Sequence, residues 1–256
     1  MARYQVILAY DGTDFLGFQR QEPETRTVQG DIEQALRCVG WQGRTILASG
    51  RTDTGVHASG QVIAFDLGWK HPVDALERAL NANLPADIAV SRVREAAADF
   101  HPRYDARFRT YEYTIYSEPY RNPLRDRYAW HIWPPVDLQL LQQAAALLPG
   151  THDFALMGTP PPKKGGSTVR TIYQAAWKQI QASGMRFEIT ANAFLYHMVR
   201  RLVFLTVMVA VGKISLDDLS EGLQAVQPQI PGLAPPQGLV LKKVRFKDEV
   251  AGLSEE

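Results

Sequence analysis

The sequence predicts an α+β protein built of two ferredoxin-like (split βαβ) halves, joined into one extended antiparallel sheet with helices on one side and a cleft on the other. Three observations lead there. The first part of the chain runs through strand and helix patterns in the order β-α-β-β-α-β, which is the split βαβ arrangement. The second part repeats that order with negligible sequence identity to the first. Two Pro- and Gly-rich connectors each precede a strand that its half requires, so neither reads as a linker between domains. The expected halves are residues 1–105, carrying Asp53, and 106–256, carrying Tyr111 and Arg200.

In the first half, the alternation in YQVILAY (4–10) predicts a strand, and DGTDFLGFQRQEPETRT follows as a loop. VQGDIEQALRCV sets Val28, Ile32, Ala35, Leu36 and Val39 on one face of a helix. TILASG (45–50) and QVIAFDL (61–67) read as strands flanking a segment of small and polar residues. A helix over VDALERALNANL (73–84) and a strand over IAVSRV (88–93) complete the half.

The second half opens with TYEYTIYS (110–117), whose β-branched and aromatic residues predict a strand. DLQLLQQAAALL (137–148) reads as a helix, and TIYQAAWKQI (171–180) and MRFEITAN (185–192) as two strands. HMVRRLVFLTVMVAV (197–211) has the pattern of a buried helix, and GLVLKKVRF (238–246) that of a last strand. Between these, GTPPPKKGGST (158–168) is expected to be a mobile loop and PQIPGLAPPQG (228–238) a stiffer one.

A chain of 256 residues can bury a substantial core, and 45% hydrophobic with 21% charged residues is the composition of a soluble globular protein. The start, MARYQVILAYDG, has one Arg before a short apolar run that meets Asp11 and Asp14, which reads as a strand rather than a signal peptide. The longest apolar run, LVFLTVMVAVG from Leu202 to Gly212, is interrupted by Thr206 and is too short to span a bilayer. Cys38, the single cysteine, rules out an intramolecular disulfide and a multi-cysteine zinc site, and fits a reducing, cytoplasmic setting.

The net charge of +1 carries no global sign of nucleic acid. Its distribution does: from Lys163 to Arg201 there are seven Lys or Arg (Lys163, Lys164, Arg170, Lys178, Arg186, Arg200, Arg201) against one acid, Glu188. Such a run is either a solvated face or a surface for phosphate.

The segment ASGRTDTGVHASGQVIAFD (48–66) sets an acid, Asp53, in a connection between two expected strands, with Gly55 two residues on. Asp before Gly is ordinary turn chemistry, and loops bounded by strands are also where function concentrates. Asp53-Thr54-Gly55 also spells the DTG of aspartic proteases. Those enzymes need two carboxylates sharing a proton. This chain has no second DTG or DSG, places Arg51 and Thr52 where an apolar strand would be expected, and is too rich in helix patterns.

GRTDTGVHASGQV as a whole resembles, nearly residue for residue, the signature of the tRNA pseudouridine synthase A (TruA) family. YDGTDFLGFQRQ, NANLPADIAV (81–90), RTYEYTIY (109–116), NAFLYHMVRR (192–201) and APPQGLVL (234–241) look like further motifs of that family in the right order, so the resemblance covers almost the whole chain. It implies an enzyme that isomerises uridine to pseudouridine in the tRNA anticodon stem-loop, at positions 38, 39 and 40, without cofactor or metal. It also implies a homodimer. Carried over by motif, Asp53 is the catalytic carboxylate, Arg51 contacts RNA and helps to displace the base, and Tyr111 and Arg200 complete the catalytic set. One departure is visible: Phe204 stands after MVRRLV, where the family usually has Gly, and bears on the local helix packing.

The chemistry explains why these residue types suffice. The glycosidic bond moves from N1 to C5 of one uracil, so the base must be detached, rotated and reattached with loss of the C5 proton. A carboxylate, ionised at neutral pH, can begin this by attacking C6, attacking C1′ or removing the 2′ proton. Tyr111 can stack on the extruded base or assist in removing the C5 proton. On pattern alone it is equally a packing residue, because Tyr111 and Tyr113 share a face of one strand. Lys163, Lys164 and Arg170 are expected to bind RNA backbone. His57 and His197 lack the partners of a metal site, and a structural hydrogen bond is expected for both. The rival is a non-catalytic RNA-binding or chaperone protein on the same fold.

Overall fold

The computed structural model describes residues 1–160, 166–224 and 230–247. The chain divides into two compact units, Met1–Arg107 together with the chain from Leu241, and Phe108–Val240. Each is a sheet backed by helices, so the expected α+β class with two similar halves holds.

In the first unit the strands are β1 (Ala2–Tyr10), β2 (Leu47–Ala48), β3 (His57–Leu67) and β4 (Ile88–Ala96), with helices α1 (Val28–Cys38) and α2 (Val73–Asn83). β1 is central and antiparallel to both neighbours, with Val6 opposite Ile63 of β3 and Val93 of β4. Its alternate residues Tyr4, Val6, Leu8 and Tyr10 are buried, as the period of two requires. Val28, Ile32, Ala35 and Leu36 of α1 and Leu76 and Leu80 of α2 complete this core. Each of the Val, Ile and Leu side chains stabilises the fold by about 1.5–3 kcal/mol through burial. The Thr27 hydroxyl caps α1 by accepting from Gly30 N at 3.3 Å, and Gly40, at φ 90°, turns the chain away after its last turn.

The strand expected over 45–50 shrinks to the two residues of β2, and side chains are the reason. Ile46 N donates to the Glu33 carboxylate at 3.2 Å, and Gly50 O accepts from Gln61 Nε2 at 3.1 Å. Backbone groups that a ladder would use are taken by α1 and β3 side chains.

The second unit holds β5 (Ala106–Tyr116), β6 (Trp130–His131), β7 (Gly150–Asp153), β8 (Val169–Gln181) and β9 (Gly184–Ala191), in the sheet order β5-β9-β8-β7. Its helices are α3 (Pro123–Asp126), α4 (Leu138–Ala146), α5 (Met198–Ala210) and α6 (Leu216–Leu223). The core lies between sheet and α5: Trp177 packs on Phe187 with ring centroids 5.2 Å apart, and its Nε1 donates to Thr206 Oγ1 of α5 at 3.2 Å. α5 is buried over most of its circumference, which explains its apolar run. No helix among the described residues is long and apolar enough to cross a membrane.

α3, β6, β7 and α6 were not expected from the sequence. The strand expected to close the second half, β10 (Leu239–Phe246), belongs from Leu241 onward to the first unit, beside β3. There Ser59 Oγ donates to Lys242 O at 3.5 Å, and Phe246 meets Phe100 edge-on at 5.2 Å. A Cβ on Gly60 would lie 2.3 Å from Lys242 O, so a glycine is what admits this strand.

Phe204, the departure noted in α5, finds its room against another glycine. A Cβ on Gly232 would fall 2.1 Å from the Phe204 ring, and Gly232 has φ +148°. The aromatic ring occupies the volume a side chain at 232 would need.

Candidate active site

In the first unit, Asp53 sits in the loop between β2 and β3, and a second loop holds it from both sides. Phe18 N donates to Thr52 O at 3.0 Å, and Gly55 N donates to Phe15 O at 3.4 Å. Val56 N closes the turn onto Asp53 O at 3.1 Å. Beneath, the Tyr10 and Thr52 hydroxyls are 2.8 Å apart in a buried hydrogen bond. Gly12 N donates to His57 Nδ1 at 2.9 Å, giving His57 the structural bond expected of it.

The glycines of YDGTDFLGFQRQ make this approach possible. A Cβ on Gly12 would lie 2.0 Å from Val56 O. Gly17 has φ +95° and would place a Cβ 3.3 Å from Thr52 O. Phe15 and Phe18 anchor the loop in the core. The carboxylate of Asp53 is thus half-buried on a backbone fixed at both neighbours, while Arg51 and Thr54 are exposed. Such a group is fixed in place and still reachable by a large substrate.

A deeper layer steadies the far end of that loop. Glu33 is fully buried, receives Gln29 Nε2 at 2.8 Å and pairs with the Arg20 guanidinium. Arg20 N donates to Gln29 Oε1 at 3.1 Å. Sequence reasoning missed Gln29 and Glu33. Their signal was present: two polar residues four apart on the apolar side of α1, where only a paired carboxylate is tolerated.

In the second unit, Tyr111 is half-buried on β5 opposite Ile189, with its ring edge-on to Phe194 at 5.3 Å. It shares its face with the fully buried Tyr113, whose hydroxyl donates to Pro235 O at 2.8 Å. Burial pushes the Tyr113 phenol well above its ordinary value, and the nearby Arg200 charge only partly opposes this, so the hydroxyl stays protonated as a donor. A Cβ on Gly238 would come within 2.5 Å of that ring.

The same segment holds Arg200. Its Nε donates to Ala234 O at 2.8 Å, and Ala234 N donates back to Arg200 O at 3.2 Å. APPQG therefore ties the start of α5 to Tyr113 of β5. Asn192, just past β9, ties that strand end to β8 by accepting, at Oδ1, from Thr171 N at 3.1 Å, and it also accepts from Ala193 N at 2.7 Å. His197 precedes α5 with φ 66° and stacks on Tyr196.

The basic run from 163 to 201 is not one face. Arg170 NH1 is used on the carbonyls of Ser167 and Val169, at 2.8 and 2.6 Å, and burial pulls its pKa down. Arg186 pairs with Glu112 at 3.6 Å, and Lys178 is exposed. Lys163 and Lys164 lie outside the described residues.

A family model described as tRNA pseudouridine synthase matches residues 6–105 and 144–247. The chain is similar to tRNA pseudouridine synthase A of Pseudothermotoga lettingae, 40% identical over 250 residues that cover 96% of this chain and all of that protein (100%). The protein of that name from Brevibacillus brevis is 41% identical over 249 residues, covering 96% and 100%. The one from Halalkalibacterium halodurans is 40% identical over 244 residues, covering 94% and 91%. Fold and motifs thus define a pseudouridine synthase, an enzyme of the isomerase class. The chain belongs to the tRNA pseudouridine synthase A (TruA) family. DTG is here part of that family's GRTD motif and not a protease signature.

Proposed function

We propose that this protein isomerises uridine to pseudouridine in the anticodon stem-loop of tRNA, at positions 38, 39 and 40, with Asp53 as the catalytic carboxylate. The observation that carries this is Asp53 itself: the acid of the GRTD motif, half-buried on a loop that a second motif of the same family holds rigid. A fixed, reachable carboxylate is what nucleophilic or general-base attack on a bound nucleotide requires.

In the reaction the N1–C1′ bond breaks, a C5–C1′ bond forms, C5 loses its proton and N1 gains one, so the product has the atoms of the substrate. Asp53 opens this sequence at C6, at C1′ or at the 2′ proton. Tyr111 supplies a ring for the extruded base and a hydroxyl near its C5, and Arg200 supplies a counter-charge for the carboxylate. Arg51 is exposed beside Asp53, as a residue that contacts RNA and displaces the base must be. Arg170 and the pair Lys163, Lys164 grip the RNA backbone. The enzyme acts as a homodimer, without cofactor.

Tritium release from tRNA labelled at uridine C5 tests the activity. Release by the parent and its loss in Asp53→Asn, with tRNA affinity retained, is the expected result. Binding of tRNA without release by the parent would establish the rival, a non-catalytic RNA-binding protein.

A further inference from the structure

We propose that a groove beside the start of α5 takes one nucleotide of the bound RNA, its backbone phosphate on Arg201 and its base on the outer face of Tyr196. The inference rests on the protein's acting on tRNA, and it adds a contact that neither the family's motifs nor the catalytic roles above assign.

The groove has a volume of about 420 Å³, and Met157, Gly158, Thr159, His197, Arg201 and Gly232 line it. That is within the roughly 300–1,000 Å³ of ordinary small-molecule sites. Its one Lys or Arg among the described residues is held in a particular orientation: Arg201 NH1 donates to Gly232 O at 2.8 Å, and the guanidinium carbon stands 5.8 Å from the Phe204 ring centre. One donor is thereby used, and a guanidinium has five. Burial lowers the pKa of Arg201, and no acid among the described residues offsets that loss. A half-buried guanidinium whose cost is not met by a carboxylate is matched by an anion with planar or forked oxygens, and phosphate is such an anion.

Tyr196 supplies the second feature. It is 58% exposed, yet its ring is not loose: it stacks on His197 with centroids 3.7 Å apart and planes at 28°. Its backbone is pinned to the rim, because Thr159 N donates to Tyr196 O at 2.9 Å. His197 holds its ring under Tyr196 from a left-handed backbone at φ 66°, a conformation that costs a non-glycine residue free energy and persists where the surroundings enforce it. A fixed aromatic face open to solvent, resting on a residue that lines the same groove as a cation, is a combination suited to unpaired nucleotides, the ring taking the base and the cation the phosphate.

The test measures tRNA affinity as a function of salt for the parent, Arg201→Gln, Tyr196→Ala and Tyr196→Phe, with thermal melting as the control for folding. Removing one phosphate contact should lower the log–log salt slope of Arg201→Gln by about one. Tyr196→Ala should weaken binding roughly ten-fold or more with the slope unchanged, and Tyr196→Phe should bind as the parent. An unchanged slope for Arg201→Gln with parental affinity for Tyr196→Ala overturns the proposal. A loss confined to Tyr196→Ala overturns the phosphate half of it. Displacement of tRNA by inorganic phosphate beyond that by chloride at equal ionic strength, abolished in Arg201→Gln while Tyr196→Ala binds normally, assigns the groove to a free anion and overturns the nucleotide. If Arg201→Gln does not fold, the exposed Tyr196 pair decides. Tritium release by the parent, measured alongside, separates failure of this groove from failure of the tRNA reading.

Discussion

Around Asp53 the chain has no regular structure, and what keeps the loop in place is a set of single backbone bonds from another loop, admitted by the close approach at Gly12 and Gly17. Around Arg200 the supports are regular elements: a helix, a strand and a short proline segment, joined by a reciprocal pair of hydrogen bonds between Arg200 and Ala234 and by one from Tyr113 to Pro235. The first arrangement depends on the identity of many consecutive residues, because each bond relies on a particular backbone path. The second depends on the packing of α5 and β5, which many apolar sequences would satisfy, plus a few fixed polar contacts. Long stretches of motif mark the first kind of support, and short ones the second.

The largest effect should separate chemistry from scaffold. Asp53→Asn should reduce tritium release by about a thousand-fold or more while melting temperature stays at the parental value, since only the carboxylate is lost. Activity near the parent would remove Asp53 from the chemistry and leave the loop as scaffold only.

Gly12→Ala attacks the loop itself. The new methyl would meet Val56 O, and the strain should destabilise the fold by about 1–3 kcal/mol, with release falling as the Asp53 loop shifts. Urea unfolding and the release assay together measure this. Gly40→Ala is the control, because its methyl meets nothing within 4 Å and only the cost of φ 90° remains.

Tyr10→Phe and Tyr113→Phe compare the two supports directly. Each removes one buried hydrogen bond, to Thr52 in the loop and to Pro235 beside α5, at a cost of about 1–2 kcal/mol. If loop support is the more fragile kind, Tyr10→Phe should cost more activity than Tyr113→Phe for equal loss of stability. Equal activity losses would erase the distinction.

The smallest effect lies away from both. The Tyr116 hydroxyl, and after it Arg121, hold the Asp126 carboxyl below the usual range. A depressed carboxylate contributes stability above its unfolded pKa of about 3.9 and loses it as pH falls through the folded value. The melting temperature of the parent should therefore exceed that of Asp126→Asn at neutral pH by a degree or a few, and the gap should close below about pH 4. A constant gap would show that Asp126 acts through shape and not charge.

Much of the fold was legible because the helices and long strands bury one face at the period their geometry dictates. Where side chains replaced backbone partners, as Glu33 and Gln61 do at β2, periodicity had nothing to report. α6 was legible after all, through Ser215 and Asp218, which form a reciprocal capping box in front of it. α3, β6 and β7 are at most four residues long, too short to show a period. At the candidate site, Tyr111 could not be told from a packing residue by pattern, since it does share its face with the buried Tyr113. Only the resemblance singled it out. The contact of Gly12 with Val56 joins residues far apart in the chain, and no local rule reaches that distance.

Phe204 and Gly232 constrain one another's substitutions. With glycine at 204, a side chain at 232 would escape the clash with the ring and meet only the strain of φ +148°; with phenylalanine at 204 it meets both. In this chain position 232 is held to glycine, because any L-residue placed there meets the ring and an unfavourable φ of +148° together. The helix that carries Arg200 thus dictates the identity of a residue in a distant loop as well as its own geometry.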